Sequence, residues 1–400
     1  MSLLAPKPFD ESTTTLRKAA IYSILDEICS ALELTETQLT AAKASYEAVA
    51  EWLSGSSNPL LRNLRLYAHG SAGLGTTVKP TGRDDFDVDL ICLVLGITAD
   101  MPPAELKRLI GERLKEHSRY AAMLEEKKRC WRLNYAREFH LDVSPTIVNA
   151  DCMNGGELVP DKKLREWKPT NPSGYKNLFE ARANLQPRLR QQRPHIAKDS
   201  AQVEPFPITV TGRGVLRRTV QLLKRHRDIY FEYVEEELAP ISIVITTLAA
   251  QAYAYCVRNF TFDTELDVLV DTIRLMPHFI ERRAEQGRSE YWVPNETTKG
   301  ENFADRWNSD PVRAKAFYTW HAKALLDFEN FASLEGVDRI ATQLGESLGD
   351  SIVRRVMDNR TEVIGAARRA EKLFIAPIVG LSLSNGAHNS PIPRNTYYGD

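Results

Sequence analysis

Two aspartates at alternate positions are the most distinctive candidates for chemistry in this sequence. Asp87 and Asp89 lie in the run Phe86–Leu90, where apolar residues alternate with the acids. Alternate side chains of a β-strand share one face, so both carboxylates should project together. Like charges this close favour a cation between them, and Mg²⁺ binds carboxylates together with substrate phosphates. A half-exposed strand whose acidic face meets water is the alternative, because it shows the same alternation.

A glycine–serine pair precedes these aspartates. Gly70 and Ser71 follow the strand-like run Leu64–Ala68 and open a Gly-rich stretch. Backbone N–H groups and a hydroxyl at such a place could receive phosphate oxygens. The stretch is not a P-loop, because no lysine follows Gly75, and it lacks the third glycine of a dinucleotide-binding fingerprint.

A third candidate acid lies in a later strand-like run. Asp142 stands between Leu141 and Val143, and aspartate is depleted in strand interiors. A carboxylate from a neighbouring strand would complete a two-metal site for phosphoryl transfer. An edge-strand acid in solvent is the alternative, and the residues alone leave both open.

Composition excludes several classes of protein. The 400 residues carry a formal net charge of -1, so the chain is not a polycation that coats nucleic acid. Its five cysteines form no C-x-x-C pair, which indicates reduced thiols in the cytosol rather than a disulfide framework or a zinc site. We expect a cytoplasmic protein without a membrane span, because neither a signal sequence nor a run of about 18 apolar residues occurs.

Periodicity predicts a mainly helical chain around a few strands. In the first half we predict helices over 12–33, from the capping box at Thr35 to Leu53, and over 103–124, with strands over 130–135 and 139–143. Residues 151–207 read as an irregular lid or linker, whose basic residues are either functional or a solvated surface: Arg182, Arg188, Arg190, Arg193 and Lys198.

The second half reads as a set of helices. They are predicted over 213–233, 241–250, 263–286, 310–333, 335–347 and 349–371. The second of these is apolar nearly all round and should be central. Ser242 lies in its first turn, where it could face an anion or simply cap the helix.

Taken together, these blocks resemble the polymerase-β-type nucleotidyltransferase superfamily. More narrowly the chain resembles the bacterial CD-NTases, relatives of the cyclic GMP-AMP synthases and oligoadenylate synthetases. The narrower likeness rests on five further blocks: Phe139–Pro145, Thr170–Tyr175, Leu222–Asp228, Pro240–Thr247 and Glu301–Trp307. The gap between Ser71 and Asp87 is longer than is typical of the superfamily, and the Cys-rich zinc insertion of the DNA-sensing animal enzymes is absent.

The resemblance implies a fold. We expect an α+β protein, mainly helical and bilobed, with a small mixed or antiparallel sheet in a nucleotidyltransferase core. A helical C-terminal lobe follows, and the active site lies in the cleft between. The implied domains are 1–210 for the core, 211–378 for the helical lobe and 379–400 for a flexible tail.

The resemblance also implies roles for individual residues. Asp87, Asp89 and Asp142 would be catalytic and would hold two Mg²⁺ ions, for which Mn²⁺ could substitute. Gly70 and Ser71 would bind the donor phosphates, and Lys224 and Ser242 would grip the triphosphate from the helical lobe. A 3′-hydroxyl would then attack an α-phosphate and release pyrophosphate.

The implied product is a cyclic di- or trinucleotide, expected to contain adenine, made from ATP and other NTPs as a second messenger in anti-phage defence. A regulatory or tail-conjugating partner protein fits the resemblance, a nucleic-acid activator is not supported, and we expect a monomer. Two alternatives stay open. One is a nucleotidyltransferase that makes linear products or modifies a tRNA, a protein or a small molecule, and the other is a non-catalytic scaffold.

Overall fold

The computed structural model describes most of the chain. Described are residues 9–79, 86–135, 139–161, 165–190, 213–285, 287–334, 336–376, 380–382 and 390–393. Three of the predictions above concern residues outside these ranges: Arg193, Lys198 and most of the tail.

Two helices open the chain, as predicted. They are α1 (Phe9–Leu32) and α2 (Glu36–Ser54). The predicted capping box at the start of α2 is confirmed: the Gln38 backbone N–H donates to the Thr35 hydroxyl, and the Gln38 side-chain oxygen accepts from the Thr35 N–H. Two backbone N–H groups at the start of this helix therefore find side-chain acceptors, which fixes where the helix begins.

A seven-stranded mixed sheet forms the first half. Its strands are β1 (Leu64–His69), β2 (Phe86–Val94), β3 (Leu124–Glu126), β4 (Trp131–Tyr135), β5 (Phe139–Val148), β6 (Glu157–Asp161) and β7 (Glu166–Thr170). The order is β1-β2-β5-β4-β3, and β6 joins the end of β5 to β7. Only the β2–β5 pair is parallel among these described strands. The predicted small mixed sheet is confirmed.

Four helices accompany this sheet. They are α3 (Gly70–Leu74), α4 (Pro103–Lys115), α5 (Ser118–Met123) and α6 (Pro172–Ala183). The predicted helix over 103–124 is therefore broken near His117.

The prediction of an irregular 151–207 was wrong over its first part, which contains β6, β7 and α6. Proline hid the strands: Pro160 lies where β6 pairs with β7 but no longer with β5, and Pro169 lies in the edge strand β7. Proline also hid the helix, because Pro172 occupies its first position, where the missing N–H costs nothing. Arg182, Arg188 and Arg190 bond to Glu296, the Arg258 carbonyl and Asp263 rather than facing only solvent.

The second half is a helical lobe, as predicted. Its helices are α7 (Gly214–Phe231), α8 (Ser242–Asn259), α9 (Glu265–Leu275), α10 (Asp305–Ser309), α11 (Pro311–Phe331), α12 (Val337–Leu348) and α13 (Asp350–Arg369). A hairpin, β8 (Glu281–Glu285) and β9 (Arg288–Trp292), and a small sheet, β10 (Phe374–Ala376), β11 (Gly380–Ser382) and β12 (Ser390–Pro391), complete it. The helix predicted over 263–286 was too long, because Pro277 ends it. No helix in the described ranges has both the length and the apolarity of a membrane crossing.

Two apolar cores hold the molecule together. One packs α2, α4 and the sheet around residues such as Leu90, Leu106 and Leu141. The other surrounds α8, which is buried over most of its length and is central as predicted. Side chains of α1 and α6 belong to this second core although they precede residue 210, so packing does not follow chain order. The domain boundary at 210 stays a prediction.

A buried arginine ties α1 to the helical lobe. Arg218 on α7 has only 2% of its side chain exposed, and its guanidinium bonds Asp26 at 2.5 Å and Glu33 at 2.7 Å. Ser30 on α1 accepts a third bond at 2.9 Å. The charge is thus fully paired where water is excluded.

Replacing Arg218 with alanine should lower the free energy of unfolding by about 3 kcal/mol, because Asp26 would stay largely buried without its cation. Urea denaturation of both proteins measures this. The exposed pair Arg190–Asp263 supplies the control, since Arg190→Ala should leave stability unchanged. An equal effect of the two substitutions would contradict a special role for the Arg218 network.

Candidate active site

The three predicted acids meet at the junction of two parallel strands. β2 buries Phe86, Val88 and Leu90 and turns Asp87 and Asp89 to the other face, as the alternation predicted. The β2–β5 register sets Asp142 directly beside Asp89. Asp87 has 55% of its side chain exposed, whereas Asp142 is buried. Asp142 is therefore not an edge-strand acid in solvent.

The glycine of the Gly-Ser pair is required by contact with one of these acids. Gly70 has a φ of +61°, and a Cβ at this position would lie 1.8 Å from the Asp89 carboxylate oxygen Oδ2. Residues 70–74 form the short helix α3 rather than an open loop, and Gly75, with a φ of +66°, ends it. Ser71 thus lies in the first turn of α3, beside Asp89.

One cavity of about 1100 Å³ lies between the sheet and the helical lobe. Six of the seven predicted site residues line it: Gly70, Ser71, Asp87, Asp89, Lys224 and Ser242. The seventh, Asp142, is the neighbour of Asp89 on the adjacent strand. The predicted cleft between the two lobes is therefore present.

Lys224 crosses from the helical lobe to the sheet side. Its ammonium donates to the Thr76 carbonyl oxygen at 3.1 Å and to the Thr76 hydroxyl at 3.2 Å. Burial, with the charge of Arg227, lowers its pKa to about 8. The Lys224 ammonium thus lies at the cavity wall, bonded to neutral oxygens of Thr76. An anionic oxygen is a stronger acceptor and could replace them.

Ser242 is the first residue of α8, but it does not cap the helix. The residue at the cap position is Ile241, and no side chain caps this end. Instead the Ser242 hydroxyl accepts a bond from the Arg227 guanidinium at 2.9 Å. The same guanidinium bonds Asp228, and all three residues line the cavity. Sequence reasoning missed Arg227.

A second missed residue is Arg132 on β4. Its Nε and Nη2 atoms donate to the two oxygens of Asp142 at 2.7 and 2.8 Å, and Nη2 also lies 3.1 Å from Asp87. The β4–β5 register pairs Arg132 directly with Asp142. Alternation in Trp131–Tyr135 places Arg132 on the polar face, yet nothing in the sequence says which face of the sheet that is.

Two blocks of the family resemblance, for which we had predicted no role, form another wall of the cavity. Asn171 caps α6 by accepting from the Gly174 N–H at 2.9 Å. Asn295 donates to Glu301 at 2.7 Å, and burial raises the pKa of Glu301. All three line the cavity, and Asn295 belongs to neither of the two blocks.

The donor set suits a hard divalent cation. Carboxylate oxygens are the ligands that Mg²⁺ prefers, and substrate phosphates complete its shell. Burial raises the pKa of Asp89 to about 6, and the charges of Asp142 and Asp87 add to the rise, so this site lacks positive charge at Asp89. Among the described residues, no three His, Cys, Asp or Glu side chains form a ready-made metal cluster. The residues fit the ion by chemistry, with phosphates supplying further ligands.

Comparisons with known proteins agree with this geometry. The domain family described as Second Messenger Oligonucleotide or Dinucleotide Synthetase matches residues 20–183. A c-di-GMP synthase of Roseivirga ehrenbergii is 28% identical over 394 residues, covering 97% of this chain and 99% of the relative. The cyclic dinucleotide synthase CdnG of Bradyrhizobium diazoefficiens is 25% identical over 351 residues, covering 83% and 81%.

A solved structure shares the fold. The structure of Bradyrhizobium diazoefficiens CdnG in complex with GTP superposes with a TM-score of 0.65 at 21% identity. The match covers 86% of this chain and 99% of that one. The predicted α+β, bilobed fold is confirmed.

The raised pKa of Asp89 has a consequence for stability. Because the folded-state pKa of about 6 exceeds the ordinary 3.8, the ionised carboxylate destabilises the metal-free fold above pH 6, and the penalty vanishes below pH 3.8. Asp89→Asn should therefore raise the metal-free free energy of unfolding at pH 8, by up to about 3 kcal/mol, and have little effect near pH 4.

Urea denaturation in EDTA across this pH range measures the difference. Asp87→Asn is the matched control, because its exposed carboxylate is screened by water and should give a smaller gain. A gain for Asp89→Asn that did not change with pH would contradict the assignment.

Proposed function

Because the chain belongs to the bacterial CD-NTases, a family of nucleotidyltransferases, we propose that it makes a cyclic dinucleotide from NTPs and that GTP is a substrate. The observation that supports this most is the grouping of Asp87, Asp89 and Asp142 beside one cavity that Lys224 enters from the other side. The relatives' names, c-di-GMP synthase and cyclic dinucleotide synthase, favour guanine. The expectation of adenine from sequence stays a prediction that product analysis decides.

In this proposal the chain's own residues mainly position reactants and balance charge. Asp87, Asp89 and Asp142 would hold Mg²⁺, which supplies charge neutralisation at the triphosphate and lowers the pKa of the attacking 3′-hydroxyl. The first turn of α3, with Ser71, would receive donor phosphate oxygens, while the absent Cβ of Gly70 leaves the space that the Asp89 carboxylate occupies. Lys224 would turn from Thr76 to the triphosphate, a stronger acceptor than a carbonyl oxygen.

The cavity supports a reaction between two nucleotides. Its volume of about 1100 Å³ is slightly above the roughly 300–1,000 Å³ that is typical for a small-molecule site. A donor and an acceptor could therefore lie in it together. Attack of the acceptor 3′-hydroxyl on the donor α-phosphate would release pyrophosphate, and a second transfer would close the ring.

We place the product in anti-phage signalling, as a second messenger for a separate effector. Control by a partner protein and a monomeric state stay predictions from the sequence. Linear oligonucleotides, or transfer to a tRNA, a protein or a small molecule, are alternative outcomes of the test that follows.

Incubation with all four NTPs and Mg²⁺, with mass spectrometry of the products and an assay for pyrophosphate, tests the proposal. We expect a cyclic dinucleotide containing guanine. The double variant Asp87→Ala and Asp89→Ala should make none. It should remain folded, because the substitutions remove two carboxylates that repel each other, one of them exposed, and no apolar core side chain. Linear products alone, or full turnover by the double variant, would contradict the proposal.

Lys224→Ala should weaken GTP binding by about 1.5–3 kcal/mol, the usual value of a hydrogen bond to a charged group. Calorimetric titration with a non-hydrolysable GTP analogue measures it. Lys43→Ala, which removes an exposed lysine of α2, is the charge-matched control and should bind normally. Unchanged affinity with a lower melting temperature would make Lys224 a structural tie to Thr76 alone.

A further inference from the structure

Arg132 occupies the carboxylate oxygens that the proposed reaction assigns to metal. Two of its nitrogens bond the two oxygens of Asp142, and one of them also reaches Asp87. A planar guanidinium that bonds both oxygens of one carboxylate is the strong form of this ion pair. Hydrogen bonding to Asp142 accordingly raises the pKa of Arg132, so the group is always charged.

The position of this arginine is built into the sheet. β4 and β5 pair antiparallel with Arg132 opposite Asp142, so the two side chains project from adjacent backbone positions on one face. Both are shielded, with 20% of the Arg132 side chain and 13% of the Asp142 side chain exposed. This contact therefore differs from a mobile surface ion pair, in which water competes for both charges.

Metal and guanidinium cannot both use these oxygens at full strength. An ion held by Asp142 would share the two oxygens to which the guanidinium donates at 2.7 and 2.8 Å. Two cations that share one carboxylate would repel each other in a site that is partly closed to water. A nucleotide triphosphate changes the balance, because its phosphates bring negative charge to both cations.

We propose that Arg132 is an internal counter-cation for the catalytic carboxylates, competing with the divalent ion until an NTP brings the metal in and takes over part of the charge balance. This inference rests on the proposed function. In this role Arg132 is a positioning residue, because it holds the side chains of Asp142 and Asp87 in the nucleotide-free enzyme. The competition keeps Asp87 and Asp142 paired between turnovers and makes metal binding depend on nucleotide.

The test is a titration of nucleotide-free protein with Mn²⁺ at pH 8, in which electron paramagnetic resonance measures the free ion. Arg132→Gln should bind Mn²⁺ about tenfold more tightly than wild type, because a full positive charge within hydrogen-bond reach of the ligands is lost. Arg129→Gln is the matched control. It removes the same charge three residues away, where the arginine pairs with Asp161 instead, and should change the affinity by less than about threefold.

Arg132→Lys provides a second measurement should the glutamine variant fold poorly. Lysine keeps the charge but cannot bond both oxygens at once, so the affinity should lie between those of wild type and Arg132→Gln. Adding Asp89→Asn to either Arg132 variant should remove the gain, which locates the ion at the three carboxylates. Mn²⁺ affinity of Arg132→Gln equal to that of Arg129→Gln, or weaker than wild type, would overturn the inference.

Product formation by wild type is measured separately, so the two proposals can fail independently. Tighter Mn²⁺ binding by Arg132→Gln without any nucleotide product from wild type would remove the proposed function and leave the competition standing. Cyclic product from wild type, with no gain in Mn²⁺ affinity for Arg132→Gln, would overturn the competition and leave the proposed function standing.

Discussion

The parallel pairing of β2 with β5 places Asp89 and Asp142 side by side, and the rest of the cleft depends on how their repulsion is compensated. Neighbouring strands are about 4.8 Å apart, so the two carboxylates cannot separate without breaking the sheet. Three features accommodate them. Gly70 leaves space for Asp89 where any side chain would collide with it, Arg132 neutralises Asp142, and the burial of Asp89 raises its pKa. Gly70 belongs to α3 and Arg132 to β4. The two aspartates can therefore stay side by side only while both of these elements remain packed against β2 and β5.

The helical lobe reaches this edge of the sheet through one helix. On α7, Arg217 donates to the Leu74 carbonyl at 3.0 Å, and Lys224, two turns later, donates to Thr76. Leu74 is the last residue of α3, whose final carbonyls have no partner within the helix, and Thr76 follows two residues later. Another side of α7 carries Arg218, which binds α1. One helix therefore contacts the first helix of the chain, the lobe core and the segment that follows the Gly-Ser turn.

Local patterns in the sequence predicted the parts of this arrangement that are local. Alternation gave the shared face of Asp87 and Asp89, and the capping box gave the start of α2. Asp89 and Asp142 lie on neighbouring strands but are more than 50 residues apart in sequence. A local periodic pattern cannot predict such a contact, so this pairing was expected only from the family resemblance. Arg132 was missed for the same reason. An arginine on the polar face of a strand is common, and only the strand register shows that its neighbour is Asp142. Proline concealed β6, β7 and α6, since its strand and helix positions are the uncommon ones at which it is tolerated.

Most of the charged groups named above have a polar partner within the cleft. Arg132 holds Asp142, Lys224 holds Thr76, Arg227 holds Asp228 and Ser242, and Asn295 holds Glu301. A nucleotide with its ions must therefore exchange partners with these groups rather than find them free. Each new bond is worth only its excess over the bond that it replaces, so many polar contacts can combine with a moderate affinity. In the proposed reaction the same internal pairs would re-form when product leaves and would compensate for the loss of its charge. A cleft organised in this way suits a reaction in which two charged substrates must enter, react twice and be released.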